Sequence, residues 1–519
     1  MSTEPVRRIS LRQHEYYDSV RLMQVSAALR RLPGIREAIL MMATPNNRKI
    51  LDGVGLLVAE VANAAADDLV VGLVADDEAS AEHALRTALE QLARRSSTGQ
   101  GQQRYRSMDA AVEGLAGANL ALISVPGAYA AAEARHALER GLHVMLFSDN
   151  VTLEEERALK QLAGERGLLM MGPDCGTAII DGIGLGFSNT VRPGRVGIVG
   201  ASGTGMQAIS VYLHQLGLGI SQALGTGGRD LKAAIGGLSM LAGLERLAAD
   251  PDTDVIVLTS KPPSSGVAAR VLARAQACDK PVVINFLGQQ LDTQAAHLYP
   301  AASLEQAADL VASLLGQAPG AAPPSEPPAT LRQQARALES GRRCLRGVYS
   351  GGTLCYEAFL LLQPRLPELL CNLAGEAERQ PGDPWRGQGH CLVDLGDDLY
   401  TQNRPHPMID PGLRTQRIVQ EALDPDTGVI LLDLVLGHGA HADPAGELAQ
   451  AIEQARQAVL AEGGTPPLFV AFICGTELDP QPAPQQRSLL EQAGVHVFDR
   501  HAHAVQVAGQ LIELLESRP

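Results

Sequence analysis

Arg195-Val-Gly-Ile-Val-Gly-Ala-Ser-Gly-Thr-Gly-Met206 runs from a β-branched stretch through a turn of small residues into AISVYLHQLG, which has helical periodicity. That is a strand, a tight turn and a helix, the opening half of a βαβ unit. A helix that starts from such a turn leaves its first N–H groups unpaired and adds the positive end of its dipole. An anion, phosphate above all, fits there, with Ser202, Gly203 and Thr204 around it. The plainer reading of the same residues is a capped βα turn with no ligand.

The pattern returns later in the chain. Gly347-Val-Tyr-Ser-Gly-Gly-Thr-Leu354 opens into CYEAFLLLQ, so Ser350, Gly351, Gly352 and Thr353 stand where Ser202 to Thr204 stand in the first copy. Downstream, Asp250-Pro-Asp-Thr-Asp-Val-Ile-Val-Leu258 recurs as Asp424-Pro-Asp-Thr-Gly-Val-Ile-Leu-Leu432. Pro281-Val-Val-Ile-Asn-Phe-Leu-Gly288 recurs as Pro467-Leu-Phe-Val-Ala-Phe-Ile-Cys-Gly475. Three elements in the same order read as a duplicated domain, residues 191–318 and 335–519, the second with an insertion around 373–410. Two such turns in one duplicated frame favour anion binding over an empty cap. Neither is a P-loop, because the Gly-Lys-Ser/Thr ending is absent, and neither is a full G-x-G-x-x-G.

The same grammar of aliphatic run, small-residue turn and Ala/Leu/Glu-rich helix continues upstream, with strands expected at 68–74, 120–125, 143–147 and 168–171. The expected fold is therefore α/β with parallel sheets. Residues 1–190 read as a small lead-in, to about residue 65, and a Rossmann-like domain. Residues 319–334 read as a linker, within and just beyond the Pro/Ala-rich run GQAPGAAPPSEPPAT that starts at Gly316.

Apolar residues make up 45% of the 519 and aromatic ones only 3%, so the cores are packed mainly from Ala, Val, Leu and Ile. A net charge of −15 argues against nucleic-acid or anionic-membrane partners. The seven cysteines contain no C-x-x-C pair and suggest reduced thiols rather than a disulfide framework or a zinc site. With no apolar run of membrane-spanning length and no apolar N-terminal stretch, the expected location is the cytoplasm.

Further candidates lie at other strand ends. Gly225-Thr-Gly-Gly-Arg-Asp230 is a third small-residue turn, in which Gly227, Gly228 and Arg229 could clamp a carboxylate or phosphate, or Arg229 could simply pair with a neighbouring acid. Lys261, in Ser260-Lys-Pro-Pro263, is either an anion contact or an ordinary exposed lysine at the end of a strand. Gly437-His-Gly-Ala-His441 and Asp443 match the spacing of no common metal site, so His438 reads as an anion contact or loop residue and no metal is expected. Cys175 reads as a small buried hydrophobe rather than a nucleophile.

These motifs carry a resemblance. The stretch from Leu120 to Gly288 resembles the α subunit of succinyl-CoA synthetase: Gly172-Pro-Asp-Cys looks like its G-P-N-C, Pro193-Gly-Arg-Val-Gly-Ile-Val its P-G-K-V-G-I-V, and Ser202-Gly-Thr its S-G-T. Residues 347–475 resemble the carboxyl-terminal ligase domain of the β subunit. The whole architecture, with Gly227-Gly-Arg-Asp230 and Ser260-Lys-Pro-Pro263, is similar to the FdrA proteins. The resemblance implies a Rossmann-like CoA-binding-type domain followed by two flavodoxin-like succinyl-CoA-ligase-type domains. It implies CoA as the candidate cofactor, with Ser124-Val-Pro-Gly127 the nearest nucleotide turn in the N-terminal domain.

In the synthetases two Gly-rich helix starts face each other and share the phosphoryl group of a phosphohistidine, and Ser202–Thr204 and Ser350–Thr353 match those two positions. The G-H-A-G-A frame of that histidine is missing here, where Gln289-Gln-Leu-Asp-Thr-Gln-Ala-Ala-His-Leu follows the strand, and there is no ATP-grasp-like domain. The resemblance thus implies a cradle for carbamoyl phosphate or another acyl phosphate, with Arg229 and Lys261 as candidate assisting residues. FdrA-type proteins are associated with oxamate carbamoyltransferase in purine-derived ureide breakdown, acting with other protein subunits; a homo-oligomer is the alternative assembly. The alternatives in function are an NDP-forming acyl-CoA synthetase subunit and a non-enzymatic sensor of CoA or an acyl phosphate.

Overall fold

The computed structural model describes residues 5–518 except 14, 16, 18, 31, 44–46, 49, 50, 52–57, 66, 67, 94–104, 292–294, 323 and 402–404. The chain divides into two compact units, Met1–Leu115 with Asp398–His406, and Ala116–Asp397 with Pro407–Pro519. The first unit contains β1 (Val6–Arg12), α1 (Ser19–Arg30), β2 (Ile35–Met42), β3 (Leu69–Ala75) and α2 (Glu78–Ala93). Its strands form an antiparallel sheet in the order β1-β3-β2. Leu69, Val71 and Leu73 alternate onto one face and pack with Leu22, Leu29, Ala84 and Ala88 of the two helices, while Val70 turns to the opposite face and packs with Ala43, Leu51, Val61 and Ala64.

The second unit begins with β4 (Leu120–Ile123), α3 (Gly127–Glu139), β5 (His143–Leu146), α4 (Leu153–Glu165) and β6 (Met170–Met171). The three strands form a small parallel sheet, β4-β5-β6. Helix α4 starts from a capping box in which Thr152 and Glu155 satisfy each other's backbone N–H groups.

Next come β7 (Thr177–Ile180), β8 (Ile183–Gly186), β9 (Pro193–Gly200), α5 (Gly203–Gln215), β10 (Ile220–Gly225), α6 (Leu238–Ala249) and β11 (Val255–Ser260). After them stand α7 (Ser265–Gln276), β12 (Val282–Phe286), β13 (Leu298–Pro300) and α8 (Leu304–Leu314). Their sheet has the order β13-β12-β11-β9-β10-β7-β8, parallel except for the β7–β8 hairpin at its edge.

The remaining elements are α9 (Ala329–Ala337), β14 (Cys344–Tyr349), α10 (Gly352–Leu362), β15 (Leu370–Cys371), β16 (Cys391–Asp394) and α11 (Gly412–Leu423). They are followed by β17 (Thr427–Val435), α12 (Pro444–Ala461), β18 (Leu468–Cys474), α13 (Ala483–Gln492), β19 (His496–Phe498) and α14 (His501–Glu516). This sheet is all parallel, β15-β16-β14-β17-β18-β19.

The strands β10-β9-β11-β12-β13 and β16-β14-β17-β18-β19 have the same order, 2-1-3-4-5 when numbered within each copy, which is the flavodoxin-like winding. The fold is the α/β arrangement with parallel sheets that the sequence led us to expect. Two local readings change. Strand β16 falls inside the segment read as an insertion, so part of that segment is sheet core. Helix α9 begins inside the segment read as linker, directly after Pro327 and Pro328, where proline is tolerated because the first N–H groups of a helix have no partner to lose.

One apolar core joins the two copies. It runs from Val196, Ile198 and Val257 of one sheet, through Ile209, Leu213 and Leu304, to Leu354, Phe359 and Val505, and on to Val429, Leu431 and Phe472 of the other sheet. Helices α5 and α8 from the first copy and α10 and α14 from the second therefore form the layer between the sheets. Packing α5 against α10 brings their N-termini together.

Candidate functional site

Strand β9 delivers Ser202 to the start of α5 in an extended conformation, with φ −148° and ψ 107°. Its Oγ accepts a hydrogen bond from the Gly205 N–H at 3.0 Å, the ordinary work of an N-cap. Among the described residues, the N–H groups of Gly203 and Thr204 have no protein acceptor. The second helix start lies against the first. The Thr353 N–H donates to Thr204 Oγ1 at 3.3 Å, and Ser202 Oγ and Thr353 Oγ1 are hydrogen-bonded to each other. Ser202 and Thr353 are both buried.

Two positive helix ends pointed at one another repel unless negative charge lies near them. Part of that charge is built in. Asp433 stands in β17 one residue past Leu432, which pairs with Val348 of β14, so its carboxylate reaches the turn that follows β14. Asp433 Oδ1 accepts from the Ser350 N–H at 2.9 Å, and Oδ2 from the Gly351 N–H at 2.7 Å. Arg414 of α11 closes the pair from the other side, Nη2 to Asp433 Oδ1 at 2.7 Å and Nη2 to the Val348 carbonyl at 2.9 Å. Burial pulls the Arg414 guanidinium below its ordinary range, and Asp433 opposes that shift. The Ser350 and Gly351 amides, expected from the sequence to face a ligand, are thus taken by the protein's own carboxylate.

Gly352 opens α10 onto a different pair of charges. A Cβ at this position would lie 2.6 Å from Asp394 Oδ2 and 3.4 Å from Lys261 Nζ, so a hydrogen is all that fits beneath them. Asp394 closes β16 and is 5% exposed. Its Oδ1 accepts from the Gly396 N–H at 2.9 Å, and its backbone is held on both sides by Asn372. Among the described residues Oδ2 accepts no hydrogen bond. Burial pushes the Asp394 carboxyl up to about 6, against Lys261 and the Gly396 N–H, which pull it down. Lys261 itself is exposed at the mouth.

The other candidates lie elsewhere. Arg229 donates through Nη2 to the Val151 carbonyl at 2.8 Å and pairs with Glu156 Oε2 at 2.9 Å. Glu156 and Asp230 also hold buried Lys160, so Arg229 completes an internal charge cluster rather than a clamp for a ligand. Gly227 has φ +83°, and a Cβ there would lie 2.1 Å from the Pro173 carbonyl oxygen, while beside Gly228 the nearest atom to such a Cβ is Asp174 Oδ2 at 3.5 Å. That turn packs on the Gly172-Pro-Asp-Cys turn. His438 exchanges backbone bonds with Ser188 and brings Nε2 to 3.2 Å from Thr190 Oγ1, and among the described residues it makes no hydrogen bond to either helix start. Cys175 is buried, and burial pushes its thiol up to about 12.

The sequence reading missed three residues: Asp394, Asp433 and Arg414. Asp433 did leave a signal, a lone acid inside the apolar run VILLDLVL, since a charge in a fully covered strand needs a partner. Ser124-Val-Pro-Gly127, named for CoA, is filled by protein: a Cβ at Gly127 would lie 2.4 Å from the Asp149 carbonyl oxygen. Two backbone carbonyl oxygens, of Asp149 and Asn150, crowd that helix start and do not suit a pyrophosphate.

Three family models match the chain: the CoA-ligase family over residues 348–511, the CoA-binding domain over 191–288, and the AllF heavy metal-associated domain over 4–107. The first cysteine of the chain is Cys175, so the third match brings no thiolate ligand with it. The CoA-binding match falls on the copy that carries Ser202 and Lys261. YahF of Escherichia coli strain K12, an uncharacterized protein, is 42% identical over 490 residues, covering 94% of this chain and 95% of YahF. The α-2 subunit of a mitochondrial ADP-forming succinate–CoA ligase from Trichomonas vaginalis is 30% identical over 177 residues, and the match spans 56% of that subunit and 33% of this chain. Among solved structures, the apo dinucleotide-forming acetyl-coenzyme A synthetase 1 of Ca. Korarchaeum cryptofilum is 16% identical, covering 77% of this chain and 83% of that one with a TM-score of 0.31. Among the described residues no helix is long and apolar enough to cross a membrane.

Proposed function

Because the chain belongs to the FdrA family, we propose that it is the anion-binding subunit of a carbamoyl- or acyl-transferase, with carbamoyl phosphate as donor and oxamate as acceptor. In this reading the donor's phosphate lies between the two helix starts. The N–H groups of Gly203, Thr204 and Gly352 donate to it, Lys261 balances its charge, and the hydroxyls of Ser202, Thr204 and Thr353 complete the cradle. Ser350 and Gly351 act indirectly, keeping their amides on Asp433 and so fixing the start of α10. The observation that carries the reading is the meeting of Thr353 with Ser202 and Thr204, which puts two helix N-termini and a lysine around one point.

Fixed dipoles aimed at the phosphate stabilise the negative charge that builds on it as the carbamoyl group leaves, with no reorganisation at that moment. Helix ends of this kind do not by themselves form a covalent intermediate, and no phosphohistidine is required. The test is phosphate release from carbamoyl phosphate with oxamate or oxalurate, using the full chain and the subunits that copurify with it. Thr204→Ala and Thr353→Ala should each lower turnover by about 10²-fold, the size of losing one preorganised donor. Undiminished turnover in both variants would remove the cradle from the reaction.

A second reading, a subunit of an NDP-forming acyl-CoA synthetase, is favoured by the CoA-binding and CoA-ligase matches. It predicts acid-labile phosphate on a histidine after incubation with ATP and a partner subunit, which the first reading does not. Tight binding of CoA or carbamoyl phosphate with no turnover in any subunit mixture would instead mark a sensor.

A further inference from the structure

The second copy brings to the cradle a carboxylate that the phosphate reading leaves unused. Asp394 sits at the end of β16, the counterpart of β10, whose last residue is Gly225. The first copy therefore has no acid at this place in the sheet. The side chain is buried and anchored by one oxygen only, and the other oxygen lies over the first residue of α10, beside Lys261 and with no hydrogen-bond donor of its own among the described residues. Asp394 Oδ2 is not one of the fully buried polar atoms that lack a partner, so it touches solvent and is open to a ligand. A donor in the ligand would meet it.

We propose that Asp394 is the proton acceptor for the nitrogen that takes the carbamoyl group, so that the second substrate must carry an N–H at the attacking atom. This rests on the transferase reading above. As the nitrogen bonds to the carbamoyl carbon, its proton passes to Asp394 Oδ2. The bond from that carbon to the phosphate oxygen breaks, and its electron pair leaves with phosphate. Phosphate then takes the proton from Asp394, which regenerates the carboxylate, and no other reactant is needed. Lys261 has a double part, holding the departing phosphate and keeping Asp394 ionised.

The charged and titratable groups facing Asp394 are Lys261 after β11, Asp433 in β17, Arg414 in α11, Cys355 in α10, and Asp397 in its own loop. The carboxylate is the active form, and its titration near pH 6 places an acid limb there: kcat/KM falls as pH drops through that value. Removing Lys261 takes away the largest influence that lowers this titration, so the limb should move to higher pH.

The experiment measures kcat/KM from pH 5 to 8 with carbamoyl phosphate and oxamate, and in parallel the affinity for sulfate, which stays a dianion over this range. Asp394→Asn should lower turnover by 10²-fold or more and abolish the acid limb. In the unsubstituted protein sulfate should bind more weakly as pH rises through the limb, because Asp394 becomes negative, and Asp394→Asn should lose that step. In Lys261→Met the limb should shift upward. If Asp394→Asn keeps the limb while turnover and sulfate binding are intact, the proton-acceptor role is wrong and the cradle stands. If neither sulfate nor carbamoyl phosphate binds, the transferase reading fails and this role fails with it.

Discussion

Replacing Asp433 by alanine is the sharpest test of how the two copies meet. Asp433 is fully buried and accepts from the Ser350 N–H, the Gly351 N–H, the Ser350 hydroxyl at 3.1 Å and Arg414. Removing one member of a buried ion pair typically costs about 3–5 kcal/mol, because the other charge is left without a partner. Here two backbone N–H groups also lose their acceptor, so the upper half of that range is expected, about 4–5 kcal/mol. The chain's single tryptophan, Trp385, lies in this copy, and its backbone carbonyl is held by Gln420 of α11. Its fluorescence during urea unfolding follows the relevant transition.

Small anions should then do what the carboxylate did. Acetate or sulfate filling the vacated notch should stabilise Asp433→Ala more than the unsubstituted protein, by about 2.7 kcal/mol of unfolding free energy at a hundred times the dissociation constant, read as a rise in its urea midpoint. The double variant Asp433→Ala with Arg414→Met should recover part of the loss, since no unpaired charge remains. A cost under about 1 kcal/mol, or no differential effect of added anions, would refute the claim that Asp433 neutralises this helix start.

The remaining predictions concern neighbours. Gly352→Ala should cost about 1–3 kcal/mol, because its methyl must push Asp394 Oδ2 away from 2.6 Å, and should cut turnover per folded molecule at least tenfold; denaturation and steady-state rates together check this. Arg229→Met should lower stability by about 1–3 kcal/mol, through the loss of its bonds to Glu156 and Val151, with turnover per folded molecule unchanged; a large fall in turnover without unfolding would return Arg229 to the site.

What could be read from the sequence follows from how locally each feature is encoded. The parallel sheets were legible because strands covered on both faces become continuous apolar runs, as in Leu468–Cys474, which is buried throughout. Both helix starts were legible because a turn that must bring backbone close to a neighbour needs small residues. Their meeting rested only on resemblance, since nothing in either copy alone states what it packs against. Arg229 misled because its acid partner, Glu156, lies in another helix far upstream, while Asp230 beside it suggested a local pair. Arg414 gave no signal: in the amphipathic stretch GLRTQRIVQEAL it looks like any solvated arginine, and only the packing of α11 turns it onto Asp433. Asp394 was hidden by its position in a segment that has no sequence match in the first copy.

The winding shared by the two sheets has a consequence for how such a cradle is kept intact. Both halves are carried on one polypeptide, so each meets the other at a local concentration set by the connecting chain rather than by the amount of protein in solution. Dilution to nanomolar levels should leave the facing helix starts together, whereas an arrangement with the halves on separate subunits would begin to come apart. Tethering also frees the two copies to diverge, one keeping its amide donors open while the other fills its own with Asp433 and contributes Asp394.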